Sequence, residues 1–242
     1  MRIKSCLYFL GIGCFPMSFL ALLNIFYSLH FGNFSNINSY TATLFLSLIT
    51  GFIFFKIGKN FKDDITAYEQ IFLVLLVYFL ISFFYSIPFY FADYNLSFID
   101  SYFESISGLS GTGFSVFENI SNLDPPLILW RSSSQWIGGL YFLIFIILIF
   151  SNKLIGFKFV DFSFNLEKKL NFSSNWLSVS IRTFFIYFFL TILIFSLFSI
   201  SGIRFFNSFN LAMTVISSGG FLPTNSLDRI ITTNLQSIFL SL

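Results

Sequence analysis

Charged residues are scarce in this 242-residue chain, at 10% of the composition, whereas hydrophobic residues make up 56%. A soluble domain usually carries about 25% charged residues, so this chain could not cover its surface in water. Cysteine and histidine are also rare, at two and one. Cys6 and Cys14 both lie in the first apolar run and match no metal-binding or redox spacing. These shortages argue against a soluble protein and give no support to a disulfide scaffold or a metal site.

Long apolar runs are present instead. A membrane helix needs about 20 mostly apolar residues, and the first run is too long for a signal-peptide core of about 7–15 residues. Five runs qualify, namely Leu7–Leu29, Tyr40–Gly58, Tyr68–Ala92, Pro126–Phe150 and Ile181–Gly202, and a sixth begins near Ile230 and continues to Leu242. The sequence therefore predicts an all-α integral membrane protein.

The positive charges predict its orientation, because Lys and Arg collect on the cytoplasmic side of membrane proteins. With the N-terminus inside, only Arg131, Arg204 and Arg229 fall in outer segments. The other ten of the thirteen fall in inner segments: Arg2, Lys4, Lys56, Lys59, Lys62, Lys153, Lys158, Lys168, Lys169 and Arg182. The N-terminus is thus predicted to be cytoplasmic, and the long inner segment Ser151–Ser180 is a natural contact for a cytoplasmic partner. Because the basic residues follow membrane sidedness and form no single patch, nucleic-acid binding has no support.

Two outer segments, Phe91–Pro125 and Ile203–Asp228, are too apolar for free loops. Each contains a short helical pattern followed by a Gly-rich turn, Ser-Gly-Thr-Gly-Phe-Ser from Ser110 and Ser-Ser-Gly-Gly-Phe from Ser217. Setting Gly113 against Gly219 gives an offset of 106 residues and suggests an internal repeat. Internal repeats are common in transporters. Acidic residues outnumber basic ones on this side, Glu104 among them, which favours cations weakly.

The physics of these segments favours a pore. A helix of about 12 residues rises about 18 Å, which is roughly half of a bilayer, so the chain must turn back inside the membrane. Irregular backbone is tolerated there only where protein buries it or water lines it. Glycine lets successive carbonyls point at one axis, and carbonyl oxygens can replace the hydration shell of a monovalent cation. Ordinary external loops with turn glycines are the alternative.

Three segments resemble the Trk/Ktr/HKT superfamily of potassium transporters, and most closely the bacterial Trk-type membrane subunit. Residues 102–115 resemble the first pore helix and filter of that family, residues 217–221 its second filter, and residues 125–139 its Arg-x-x-x-Gln-Trp-x-Gly-Gly motif. Departures from the family pattern at Gly111, Phe114 and Leu222-Pro223 concern ion selectivity and leave the fold unaffected.

The resemblance implies roles for individual residues. Filter residues would be Thr112, Gly113, Phe114, Ser218, Gly219 and Gly220. The transported ion, K⁺ with Na⁺ as the alternative, would be held by the backbone carbonyls of Thr112, Gly113, Ser218 and Gly219. Arg131, Gln135 and Trp136 would be structural residues beside the pore. The resemblance also implies a bacterial inner-membrane location, a homodimer, a cytosolic nucleotide-binding regulatory subunit, contact with membrane lipid, and no bound cofactor.

The expected organisation is a two-helix hairpin (1–59), a complete helix–pore loop–helix repeat (68–150) and a second repeat (178–242) cut within its last helix. Since the family builds its pore from four repeats, we expect the chain to be an N-terminal fragment that does not transport potassium alone. The alternatives are a non-transporting membrane scaffold or assembly subunit and a non-functional truncated product. A membrane enzyme has little support, because the spans contain no acidic pair or metal-ligand cluster.

Overall fold

The computed structural model describes residues 3–61, 66–151, 172–233, 236, 237 and 240. These residues contain helices and no strand, so the predicted all-α fold class is confirmed. The main helices are α1 (Ile3–Phe31), α2 (Ile37–Gly58), α3 (Ala67–Phe91), α4 (Phe98–Leu109), α5 (Pro125–Ser151), α6 (Phe172–Ile200) and α7 (Phe205–Ile216). Several predictions lie outside the described residues, namely those for Arg2, Lys62, Lys153, Lys158, Lys168, Lys169, most of the segment Ser151–Ser180, and much of the last span.

Local signals in the sequence set several helix starts. Thr66 and Glu69 form a reciprocal capping box at the start of α3, which satisfies two of the free N–H groups of the first turn. The Ser97 hydroxyl accepts the N–H of Asp100 at the start of α4. Pro125 is the first residue of α5, where its missing N–H costs nothing.

Four helices are long and apolar enough to cross a membrane: Ile3–Phe31, Ile37–Gly58, Tyr68–Phe91 and Leu177–Ile200. They coincide with four of the five complete spans predicted from sequence. The fifth falls in α5, whose 27 residues give a length of about 40 Å. Its first half carries Arg131, three serines and Gln135, which are all buried within the helix bundle.

Close backbone contacts hold the helices together where glycine replaces a side chain. A Cβ added at Gly58 of α2 would lie 2.5 Å from the backbone nitrogen of Tyr8, and one at Gly11 of α1 would lie 2.6 Å from that of Phe55. Small residues allow this approach between membrane helices, which gain stability from packing because lipid is as apolar as the side chains. The first two helices thus form a tight antiparallel hairpin.

Helix α5 shows how deep α4 and α7 reach. The chain returns to the N-terminal end of α5, where the Tyr94 hydroxyl accepts the N–H of Asp124. By contrast, the last residue of α4, Leu109, lies against Gly138, the midpoint of α5, and Ser217 after α7 lies against Gly139. Both short helices therefore end at about half the length of a spanning helix, and the chain turns back from there.

Replacing Gly138 with alanine is expected to destabilise the fold, because the new Cβ would lie 2.0 Å from the carbonyl oxygen of Leu109. Overpacking of this kind costs about 1–3 kcal/mol. Gly13→Ala is the matched control, since its Cβ would meet only the Val77 side chain at 3.8 Å and alanine is favoured over glycine in a helix by about 1 kcal/mol. Thermal unfolding in detergent should show a lower midpoint for Gly138→Ala alone; equal midpoints would contradict the contact.

Candidate functional site

The turns that follow α4 and α7 are built alike. Both helices have 12 residues and end in a serine C-cap, Ser110 and Ser217. The next residue has a left-handed backbone in each case, Gly111 with φ +71 and Ser218 with φ +54. Its N–H bonds the carbonyl three residues earlier, Gly108 in one turn and Val215 in the other, as in helix C-caps of the Schellman type.

These matches correct the register of the internal repeat. Helices α4 and α7 begin at Phe98 and Phe205, which is an offset of 107 residues instead of the 106 expected from sequence. Gly113-Phe114 then corresponds to Gly220-Phe221, and Gly219 corresponds to Thr112. The 106 spacing was wrong for the helices because the Gly-Gly pair offered two alignments and the sequence alone did not distinguish them.

The structure brings Gly113 and Gly220 together. A Cβ added at Gly113 would lie 2.6 Å from the Gly220 Cα, and one at Gly220 would lie 3.3 Å from the Gly113 Cα. Gly219 lies instead against the amide of Gln135, where an added Cβ would be 2.3 Å from the side-chain carbon. Only glycine fits at position 113, because the residue has φ +77 and an added Cβ would meet backbone atoms of Gly220. At Gly219 an added Cβ would require the Gln135 side chain to shift.

Thr112, Phe114 and Ser218 are more open. The hydroxyls of Thr112 and Ser110 lie 2.6 Å apart within hydrogen-bonding range, and Phe114 and Ser218 are exposed. The Phe114 carbonyl accepts a hydrogen bond from the Ser107 hydroxyl, which fixes its direction. The six residues predicted as a filter thus lie in two adjoining turns, and their role as ion ligands stays a prediction.

A cavity of about 320 Å³ lies where the two short helices end. Its lining includes the C-caps Ser110 and Ser217, the left-handed residues Gly111 and Ser218, and Gly138 of α5. The C-terminal end of a helix carries a partial negative charge of about half an electron. Two such ends meet at this cavity, which makes it favourable for a cation.

A buried ion pair anchors the first turn. The Arg131 Nε donates to Glu104 Oε1 at 2.8 Å, and the two side chains are 1% and 0% exposed. The other oxygen of Glu104 accepts the N–H of Val116 at 2.9 Å, and the Ser115 hydroxyl donates to Oε1 at 3.1 Å. Glu104 was counted in the sequence among the acidic residues that would attract cations, but its carboxylate is buried and paired with Arg131 behind the turn.

The same arginine reaches the second turn. Its Nη1 donates to the Leu222 carbonyl at 3.3 Å, and its guanidinium lies 4.2 Å from the centre of the Phe221 ring. Such cation–π contacts are strongest when both groups are shielded from water. Arg131 thus links α4 to both Gly-rich turns, and it lies behind them, away from the cavity.

Gln135, one helical turn after Arg131 in α5, also holds the second turn. Its Oε1 accepts the N–H of Phe221 at 3.2 Å, and its Nε2 is buried without a partner among the described residues. Trp136 points elsewhere: its indole N–H donates to Thr191 of α6 at 3.0 Å, and its carbonyl accepts from Tyr187. Arg131 and Gln135 contact the turns directly, whereas Trp136 joins α5 to α6.

Replacing Gln135 with methionine should destabilise the second turn, because it leaves the buried N–H of Phe221 without an acceptor. An unsatisfied buried group of this kind costs about 1–3 kcal/mol. The matched control is Asn119→Ala, which removes the amide that accepts from Asn225 between the same two outer segments but on the exposed surface. Proteolysis of the folded protein should cut near residues 217–225 faster in Gln135→Met, and an unchanged rate would contradict this role.

Several partners in this site carry no signal that sequence reasoning could use. Phe221, Leu222 and Ser115 are ordinary residues, and their contacts with α5 depend on the fold. Glu104 did carry a signal, because an acidic residue inside an apolar, membrane-inserted helix requires a partner. Arg131, 27 residues later, was the cation available on the same side.

The fold and the site define a class, a multi-pass membrane protein whose short re-entrant helices carry paired Gly-rich turns, as in cation-conducting pores. No protein-family profile matches the chain. An uncharacterized cation transporter of Methanocaldococcus jannaschii is 25% identical over 92% of this chain and 46% of its own length. The potassium uptake protein TrkH of Escherichia coli K12 is 28% identical over 42% of this chain and 21% of its own length.

A solved structure agrees with these matches. The potassium transporter TrkH from Vibrio parahaemolyticus superposes with a TM-score of 0.81 at 20% identity, over 99% of this chain and 48% of that chain. The likeness in structure concerns the fold, and the sequence matches add Trk-type and cation transporters as relatives. The resemblance to Trk-type potassium transporters is thereby confirmed. The chain spans about half the length of the M. jannaschii transporter and of the V. parahaemolyticus protein.

Proposed function

We propose that this chain forms part of the pore of a potassium transporter, with two turns that contribute to one selectivity filter. The observation that carries the proposal is the contact of Gly113 with Gly220 at the joint end of two half-length helices, beside a cavity of about 320 Å³. The Trk-type relatives support potassium as the ion, and Na⁺ is a second candidate.

The proposed ligands are backbone carbonyls. A K⁺ ion sheds its hydration shell only where several carbonyl dipoles replace it, and the turns supply them from Thr112, Gly113, Ser218, Gly219 and Gly220. Phe114 would border the same axis. Arg131 and Glu104 are buried and paired with each other, so neither presents its charge to this axis. Ion selectivity would therefore depend on the carbonyl dipoles and on the spacing between them.

The organisation proposed for the chain is the hairpin 1–59 followed by the repeats 68–150 and 178–242. We place the N-terminus in the cytoplasm and the Gly-rich turns toward the outer side of a bacterial inner membrane, on the strength of the Lys and Arg distribution. A homodimer and a cytosolic nucleotide-binding regulatory subunit are proposed from the resemblance alone. Since two turns surround only part of an axis, further turns would come from outside these 242 residues.

Uptake of rubidium or potassium in a host without its own potassium uptake systems tests the proposal. A complete protein that contains these residues should restore growth at low potassium, and the 242 residues alone should not. Absence of uptake of potassium, rubidium and sodium by a complete protein that is folded and inserted would contradict the function. Growth restored by this chain alone would contradict the need for further turns.

A further inference from the structure

A groove of about 760 Å³ lies between α1, α5, α6 and α7. Its volume is within the range of about 300–1,000 Å³ that is usual for small-molecule sites. Among the described residues it shares no lining residue with the cavity at the Gly-rich turns. Its walls are mainly aromatic and aliphatic, with Leu129, Phe188, Ile192 and Phe209 among them. A ligand for this groove must therefore be largely hydrocarbon.

The groove is about as deep as one leaflet of a bilayer. On α6 its lining runs from Phe195 to Phe188, and Phe188 lies 12 residues before the end of the helix at Ile200. Twelve residues rise about 18 Å, slightly more than half of a hydrocarbon core of about 30 Å. The other end of the groove, its mouth, is at His30 near the end of α1 and at Phe205, the first residue of α7. The groove thus extends from one face of the membrane to its middle.

The polar groups of the groove differ between its two ends. In the interior, the Thr191 hydroxyl donates to the Tyr187 carbonyl and accepts from the Trp136 indole, so its hydrogen bonds are already made. At the mouth, the Tyr27 hydroxyl and the His30 ring have no hydrogen bond among the described residues. The interior therefore suits an acyl chain, whereas the mouth offers hydrogen-bond donors.

The charge at the mouth is positive. Arg204 is the exposed N-cap residue of α7, and it makes no side-chain cap. The N-terminal end of a helix adds a partial positive charge of about half an electron. None of the described residues that line the groove is acidic. This end of the groove therefore favours an anionic group.

We propose that the groove binds one phospholipid with an anionic headgroup. An acyl chain lies against Ile192 and Phe188, and the phosphate accepts hydrogen bonds from Tyr27 and His30. With the orientation proposed above, the lipid comes from the outer leaflet. Its role is to join α1 to α6 and to α7, the helix that carries the second Gly-rich turn. This inference goes beyond the proposed function, since it needs a membrane but no transported ion.

Other occupants match the groove less well. A membrane helix from outside these 242 residues would need a polar group at the level of His30 and apolar side chains everywhere below it, an arrangement that every phospholipid already has. A zwitterionic phospholipid has the same shape but no net charge to complement the mouth. An anionic phospholipid satisfies the walls, the depth and the charge together.

Filling the groove tests the acyl-chain site. Ile192 and Leu193 are neighbours on α6 and similarly exposed, at 46% and 43%, but only Ile192 lines the groove. The complete protein that contains these residues would be purified in detergent, mixed with phosphatidylglycerol and measured by native mass spectrometry. Wild type and Leu193→Trp should retain one tightly bound lipid, and Ile192→Trp should lose it. Equal retention by the two variants would overturn the proposal.

The headgroup contact has its own variant. Tyr27→Phe removes the hydroxyl and keeps the ring that stacks on Phe206 at 6.2 Å. One hydrogen bond to a charged group should change the affinity for phosphatidylglycerol about tenfold. Tyr90→Phe is the matched control, because Tyr90 is 45% exposed and lies outside the groove. Equal affinities of the two variants would contradict the contact, and phosphatidylcholine bound as tightly as phosphatidylglycerol would contradict the anionic headgroup.

Photo-crosslinking distinguishes a lipid from a protein in the groove. Ile192→p-benzoylphenylalanine would be introduced into the complete protein in membranes of its natural host. The expected product has the added mass of a phospholipid, and a product joined to a peptide from outside the described helices would overturn the proposal. Because none of these measurements uses ion flux, the lipid site and the proposed transport function fail separately.

Discussion

Replacing Arg131 with methionine is expected to destabilise the protein by about 3–5 kcal/mol, the cost of breaking a buried ion pair by removing one partner. The reason is Glu104, which is 0% exposed and would be left buried without its cationic partner. The change also removes the donors to Ser115 and to the Leu222 carbonyl. Thermal unfolding in detergent, followed by size-exclusion chromatography, measures the loss.

Two variants separate the ion pair from other effects of the substitution. Glu104→Gln/Arg131→Met keeps an acceptor for the Val116 N–H and removes both charges, so it should be more stable than Arg131→Met alone. Arg204→Met removes an exposed arginine beside the second short helix and should change stability by less than about 0.5 kcal/mol, as surface substitutions usually do. A double variant less stable than the single would show that the buried charge of Glu104 is not what destabilises Arg131→Met.

The helices were predictable because their signals are local. Apolar runs, Pro125 and the Ser97 cap depend only on neighbours in the chain. The ends of the predicted spans lie within four residues of the observed helix ends, except that α6 begins at Phe172, nine residues before the predicted Ile181. The pairing of the two turns was not local. It depends on which glycine of Gly219-Gly220 faces Gly113, and this is decided by Gln135, which fills the space beside Gly219.

The buried ion pair illustrates the same limit. An acidic residue within an apolar short helix indicates that Glu104 needs a partner, but the sequence does not show that Arg131 is that partner. Burial followed only when α4 was placed against the first half of α5, which put the carboxylate 2.8 Å from the guanidinium. Arg131 then contacts both turns and Gln135 contacts the second, through Leu222 and Phe221, which lie 91 and 86 residues away in sequence.

Gly113→Ala is expected to abolish cation uptake by the complete protein. The residue has φ +77, and its new Cβ would lie 2.6 Å from the Cα and 2.7 Å from the nitrogen of Gly220, both backbone atoms that cannot rotate away. The two turns must therefore separate, which moves their carbonyls from a common axis. A misplacement of about 1 Å in a pre-organised site can reduce its rate by about 100-fold, and we expect a loss of this order.

Gly202→Ala is the matched control for backbone strain. Gly202 has φ +90, but an added Cβ would meet nothing within 4 Å. Both substitutions place a side chain in the left-handed region, at about 1–2 kcal/mol, and only Gly113→Ala also separates the turns. Rubidium uptake, normalised to folded protein in the membrane, should fall strongly for Gly113→Ala and little for Gly202→Ala. Equal uptake by the two variants would mean that the contact between Gly113 and Gly220 does not set the geometry of the ion path.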